Sequence, residues 1–166
     1  PGEWRLVGNV VAEVATEAGL RLLVGFENHG GRTHLGVAAP LGRVRVGNGN
    51  NGRDGTEGAR SGSITASYLH GPLLPKNAWL TDQLLAQALK HAGGDPRSLR
   101  PLDDSFEDAA HREAILRAET DASAARRRRS AAEAAARRRL VRVAVSARGW
   151  HAKARAVARG VGARIR

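Results

Sequence analysis

The sequence of 166 residues contains no cysteine and no methionine. Without cysteine it can form no disulfide and no thiolate metal site, and it supplies no thiol nucleophile of its own. Without methionine it holds no initiator. It starts at Pro1 and enters an apolar, strand-like stretch (Trp4, Leu6, Val7) almost at once, so we expect a fragment whose upstream part lies outside these residues. No apolar run approaches the roughly 18–20 residues that span a bilayer, so no transmembrane segment is expected. No secretory signal pattern opens the chain. The length suits one domain of ordinary size.

Acidic residues are scarce at one end. Residues 121–166 hold 14 Lys and Arg against only Asp121 and Glu133, a net +12, whereas residues 1–120 are close to neutral at −1. The formal +11 of the whole chain therefore belongs to its tail, and any nucleic-acid reading would rest on that tail alone.

What is present falls into strands followed by helices. Residues 5–14 are rich in Val, and residues 20–26 place Leu20, Leu22, Val24 and Phe26 at the period of two expected of a strand. Residues 43–46 alternate again. The Gly- and Asn-rich run at 47–62 reads as a turn or surface loop, and residues 63–69 as a further strand ending at His70. Gly71, Pro72 and Pro75 break regular structure. A helix then opens with Asn77 as N-cap, carries Leu80, Leu84, Leu85, Ala88 and Leu89 as an apolar stripe, and closes at Gly93-Gly94. A second helix opens at Ser105, with Asp108 as a capping-box-like signal.

The composition shifts near residue 120. The last 46 residues contain 15 Ala and the unbroken runs Arg126–Arg129 and Arg137–Arg139; only Val141 to Val145 looks strand-like. We divide the chain into a domain at 1–120 and a basic low-complexity tail at 121–166, disordered or irregularly helical. This order fits an α/β domain whose other strands and helices lie upstream. The pattern does not distinguish parallel from antiparallel pairing.

Two places carry chemistry. His70 sits where a strand ends and a Gly-Pro loop begins, and active-site groups of open α/β sheets collect at such strand ends. A neutral imidazole there can take a proton from a thiol or hydroxyl; the alternative is a histidine that caps its loop by hydrogen bonds. The second place is Gly25-Phe26-Glu27-Asn28-His29-Gly30-Gly31-Arg32-Thr33. Glu27 and His29 share a face on an extended backbone. They could be metal ligands, or members of a polar turn. The Gly/Asn run lacks the Lys-Ser/Thr ending of a phosphate-binding loop. Arg5, a lone arginine at a strand start, reads on its own as a solvated or salt-bridged surface residue.

Three blocks in this order resemble the C-terminal part of CobB/CobQ-type class I glutamine amidotransferases, and among these the glutaminase subunit of lipid II isoglutaminyl synthase (GatD). They are RLVGNV at 5–10, VGFENHGGRT at 24–33 and SYLHGPLLPKN at 67–77; VGNGNNGRDGTEG at 46–58 is similar to the same family. The resemblance covers roughly residues 3–115. It implies a flavodoxin-like fold and a cysteine nucleophile, upstream of Arg5 in the family, that attacks the side-chain amide of L-glutamine. It implies that His70 is the catalytic partner of that cysteine and that Arg5 binds substrate, its fork matching the glutamine α-carboxylate. Many class I relatives carry Glu two residues after the histidine. Pro72 stands there instead, as in the CobB/CobQ branch, and Glu27 is the candidate for an orienting carboxylate.

The implied reaction is hydrolysis of glutamine to glutamate and ammonia. The ammonia would be passed to a Mur-ligase-like MurT partner that uses ATP to amidate the D-glutamate of lipid II, in the cytoplasm. No metal or other cofactor is expected in this subunit, and no nucleic acid. The fragment alone should be inactive. One alternative keeps the chemistry and takes a corrinoid carboxylate as acceptor, as in cobyrinic and cobyric acid synthases. Another, of a different class, is a protein that binds nucleic acid or an anionic surface through its tail; the single tail aromatic, Trp150, supports base stacking poorly.

Overall fold

A computed structural model describes residues 4–162, with side chains described through Arg138. The chain divides into two compact units, Pro1–Ala122 and Ser123–Arg166.

The first unit is organised by one long hairpin. Strands β1 (Leu6–Thr16) and β2 (Gly19–His29) pair antiparallel from Leu6↔His29 to Thr16↔Gly19. Around them lie β3 (Gly42–Val46), β4 (Thr56–Glu57) and, after a small two-stranded excursion of β5 (Ala59–Ser61) and β6 (Ile64–Ala66), β7 (Leu69–His70). The five-stranded sheet has the order β4-β3-β1-β2-β7, and every pairing in it is antiparallel. The pairing direction left open by the sequence is thus antiparallel throughout the described strands.

Both faces of this sheet are covered in part, because side chains alternate along each strand. Val10, Ala12 and Val14 of β1 and Leu23 of β2 point to one face. There they form a core with Leu41, Leu69 and Leu80, with Leu73, Trp79 and Leu84 packed against it. Leu80 and its neighbours belong to helix α1 (Ala78–His91). Val11 and Val24 point to the other face and meet Ala114, Ile115 and Ala118 of helix α2 (Ser105–Gly162). Arg45 on that face lies between Glu13 and Glu119, at 3.7 and 3.5 Å.

Several local expectations meet different geometry. Asn77 does stand at the N-cap of α1, but its side chain caps nothing there. It turns into the sheet, where its Oδ1 accepts from the Val24 amide at 2.9 Å and its Nδ2 donates to the Val24 and Leu73 carbonyls at 2.8 and 2.7 Å. The side-chain amide imitates the neighbouring strand that β2 lacks beyond β7. Of the apolar stripe, Leu80 is buried while Leu85 is half exposed. Gly93, at φ +78°, closes α1 as read from the sequence. At the start of α2 the Asp103 carboxylate, not that of Asp108, accepts the Ser105 amide.

The stretch at 63–69 is two strands, not one. Ser67 Oγ accepts the Leu69 amide at 3.0 Å, a side-chain bond that interrupts the ladder and separates β6 from β7. The run at 47–62 is no open surface loop: it contains β4 and β5 and buries Asn50, Asn51 and Glu57. Gly49 is required within it, since a Cβ there would lie 2.2 Å from the Thr56 carbonyl oxygen.

The described residues of the second unit, 123–162, are helical. The VRVAV segment at 141–145, read as strand-like, is helical. Alanine's helix propensity prevails here. Successive residues on a helix are turned by about 100°, which spreads adjacent arginines around the axis. Arg126 to Arg129 are all exposed.

Candidate functional site

The register of β1, β2 and β7 decides which polar groups share a surface. His70 pairs with Phe26, and Asn9 pairs with Phe26 from the opposite side. By the alternation of the pleat, Val7, Asn9, Phe26, Asn28 and His70 occupy the face on which α2 packs, at the end that α2 leaves open. Asn9 donates to Asp121 of α2 at 3.1 Å and marks the edge of that cover. Beyond it Val7 is 54% exposed and Phe26 38%.

Arg5 reaches the same patch. Its Nε donates to Asn28 Oδ1 and its Nη2 to the Asn28 carbonyl, both at 2.9 Å, so one residue of β2 holds the guanidinium by two bonds. Arg32 is fixed nearby by donating to the carbonyls of Trp4, Gly30 and Gly31. His70 is exposed and ends β7. It is followed by Gly71 at φ +57°, a conformation that suits glycine, and the Gly71 carbonyl accepts from Lys76 Nζ at 2.9 Å. The structure therefore brings Arg5 and His70 to one sheet face, on either side of β2.

Glu27 is not brought there. It pairs with Leu69, whose side chain lies in the α1-side core, so its carboxylate points to the opposite face from His70. It is fully buried and accepts three bonds, from the Asn48 amide and Nδ2 and from the Gly49 amide, at 2.7–3.0 Å. The expectation that Glu27 orients the imidazole of His70 is corrected on this ground: the sheet stands between them, and the carboxylate is already committed to the Gly/Asn loop.

His29 lies beside Glu27, its Nε2 3.5 Å from Glu27 Oε2. Its Nδ1 must carry a proton, because it meets the Gly31 carbonyl at 2.9 Å, an atom that only accepts. The ring stacks on Tyr68 at 3.8 Å and 6°. Tyr68 Oη bonds Thr33 Oγ1 at 2.9 Å. Among the described residues no group of three or more His, Cys, Asp or Glu side chains is placed to hold a metal ion. The Glu27–His29 pair acts as part of a buried polar network, the second of the two readings open for it.

Glu57, unremarked in the sequence, completes that network. It is fully buried; its Oε1 accepts from Ser67 Oγ at 2.7 Å and from the Tyr68 amide at 3.2 Å, while Oε2 has no hydrogen-bond partner. Burial pushes its carboxyl above the ordinary glutamate range, against the pull of the Ser67 and Tyr68 bonds, and the charge of Glu27 adds to the rise. A carboxyl whose folded pKa is raised contributes stability that is complete below the unfolded value of about 4.3 and is lost as pH climbs through the folded value. Glu57→Gln should therefore melt above the parent chain at pH 8, and the gap should close at pH 4. Thermal unfolding at the two pH values checks this; a gap independent of pH would contradict it. Asp54 moves the other way, held low by hydrogen bonds from Thr56 and then Asn51.

Nothing near Glu57 in sequence announces its burial, which depends on a hairpin bringing Ser67 back to it. Asn28 faces Val7 one step inside the start of β1, so its place beside Arg5 follows only from the hairpin register.

The sheet thus carries His70 and the Arg5 guanidinium on one face, with a buried polar layer behind it. Residues 2–78 match the CobB/CobQ-like glutamine amidotransferase domain, and over this stretch the chain is similar to that family. Two curated relatives are more particular. One is the lipid II isoglutaminyl synthase (glutamine-hydrolyzing) subunit GatD of Staphylococcus aureus (strain N315), 42% identical over 114 residues, covering 69% of this chain and 45% of that protein. The other is the subunit of the same name from Streptococcus pneumoniae (strain ATCC BAA-255 / R6), 39% identical over 101 residues, covering 60% of this chain and 39% of that protein. The chain thus spans less than half the length of these relatives.

Proposed function

We propose that this chain is the C-terminal part of a glutaminase that hydrolyses L-glutamine to glutamate and ammonia, supplying ammonia for amidation of lipid II. The observation that supports it most is the convergence of Arg5 and His70 on one open sheet face, in a chain similar to subunits whose names specify glutamine hydrolysis. In this reading a cysteine outside these 166 residues supplies the thiol. The His70 imidazole takes the thiol proton as sulfur attacks the amide carbon, then gives it to the nitrogen as the C–N bond breaks and ammonia leaves. Water hydrolyses the resulting thioester. Arg5 pairs with the α-carboxylate and sets the distance from that end of the substrate to its reacting amide.

The acceptor side belongs to a second subunit. We assign that role to a Mur-ligase-like MurT partner using ATP, with the pair working in the cytoplasm on membrane-bound lipid II. No helix among the described residues is long and apolar enough to cross a membrane. The relatives' names favour this acceptor over a corrinoid carboxylate.

The decisive assay is ammonia release from glutamine. The 166-residue chain alone should show none above background, and a longer chain that supplies the cysteine, assembled with its partner, should restore it; turnover by the short chain would refute the reading. In the assembled enzyme, Arg5→Ala should raise the KM for glutamine about 10–100-fold, the loss of one charge-assisted contact worth roughly 1.5–3 kcal/mol. Arg5→Lys should recover only part of it, since an ammonium lacks the paired donors. An unchanged KM would remove Arg5 from the binding site.

A further inference from the structure

Strand β7, which carries His70, is two residues long and pairs with β2 at Phe26 and Glu27 only. So short a ladder fixes the direction of its last side chain weakly. The segment is instead held from upstream and from below. Leu69 sits in the core, against Gly25, where any Cβ would come within 2.8 Å of the Leu69 Cβ. The two residues before it are held by Glu57: Ser67 Oγ donates to Oε1 and simultaneously accepts the Leu69 amide, and the Tyr68 amide donates to the same oxygen. These bonds form a short chain from a buried carboxylate to the strand of His70.

The same carboxylate is a poor source of stability. One of its oxygens is buried with no partner, an arrangement that costs free energy unless a hydrogen bond offsets it. What it does provide is geometry, at the point where the β5–β6 excursion returns to the main sheet. We infer that Glu57 is a positioning residue for His70, fixing through Ser67 and Tyr68 the turn from which β7 emerges and hence the direction of the imidazole. This rests on the reading of His70 as the reacting base. Glu57 lies on the far side of the sheet from the reactants and touches none of them.

The test compares Glu57→Ala, Glu57→Gln and Ser67→Ala with His70→Ala in the full-length enzyme assembled with its partner. A displacement of about 1 Å at a reacting group can cost on the order of 100-fold in rate. Glu57→Ala should lower kcat about 10–100-fold and leave the KM for glutamine within about threefold, because Arg5 is held from the other edge of β2. Glu57→Gln retains an oxygen that can accept both bonds and should restore kcat to within about threefold. Ser67→Ala, the milder cut in the same chain of bonds, should lower kcat about 10-fold and decides the matter if Glu57→Ala fails to fold. In the 166-residue chain, the NMR signals of the His70 ring should shift in Glu57→Ala and Ser67→Ala and stay in place in Glu57→Gln. Folded alanine variants with parental kcat, or a glutamine variant as slow as the alanine one, overturn the inference. If His70→Ala itself turns over at the parental rate, the reading beneath it falls instead.

Discussion

His70→Ala should abolish turnover in the assembled enzyme and leave the fold untouched. Nucleophile and base act as a unit, so removing the imidazole should cost about 10³–10⁶-fold in kcat. The structure makes this unusually easy to interpret. His70 is exposed at the end of β7 and lies outside both core clusters. Surface substitutions of that kind usually change stability by no more than about 0.5 kcal/mol. A loss of activity with unaltered thermal unfolding would therefore report chemistry and not collapse. A variant that retained even a tenth of the parental kcat would take His70 out of the proton-transfer step.

Asn77→Ala should be the most destabilising single change in the first unit. Its side chain satisfies the Val24 amide, the Val24 carbonyl and the Leu73 carbonyl, and both Asn77 and Val24 are almost entirely buried. Removing it strands up to three backbone groups, at about 1–3 kcal/mol for each one left unsatisfied. A total of about 3–5 kcal/mol is a large share of the roughly 5–15 kcal/mol that ordinary domains possess. Asn77→Asp should do little better, since a carboxylate keeps the acceptor and loses both donors. Urea unfolding measures this as a fall in midpoint at constant slope. A loss below about 1 kcal/mol would show that water or a shifted α1 replaces the amide.

Much of this arrangement was legible in the chain, and most of the failures have a common cause. The two long strands and α1 follow from period and punctuation, which are local properties, whereas the antiparallel pairing of those strands does not: Leu22 and Val24 alternate with Leu23, and Gly93 marks a helix end. The family resemblance located Arg5 and His70, and the register then placed them on one face. What escaped were side chains whose partners are distant in sequence. Asn77 reads as a helix cap because Ser, Thr, Asp and Asn cap helices locally, yet its bonds run 53 residues back to β2. Glu27 reads as a neighbour of His70 until the pleat assigns it to the opposite face. Glu57 reads as part of a loop because ten residues separate it from Ser67. In the Ala- and Arg-rich end the strand-like reading of 141–145 fails for a different reason, since the segment is helical and alanine's backbone preference prevails over the run of valines.

The two-sided character of β2 has one further consequence. Its odd-numbered side chains, Leu23, Glu27 and His29, are buried, and its even-numbered ones near the open end, Phe26 and Asn28, are exposed. A single-residue insertion between Leu23 and Phe26 would exchange the two sets, sending the carboxylate and imidazole outward and an aromatic ring into the polar layer. Insertions of one amino acid in that half of the strand should be among the least tolerated in the gene, while a two-residue insertion, which restores the alternation, should be the milder lesion.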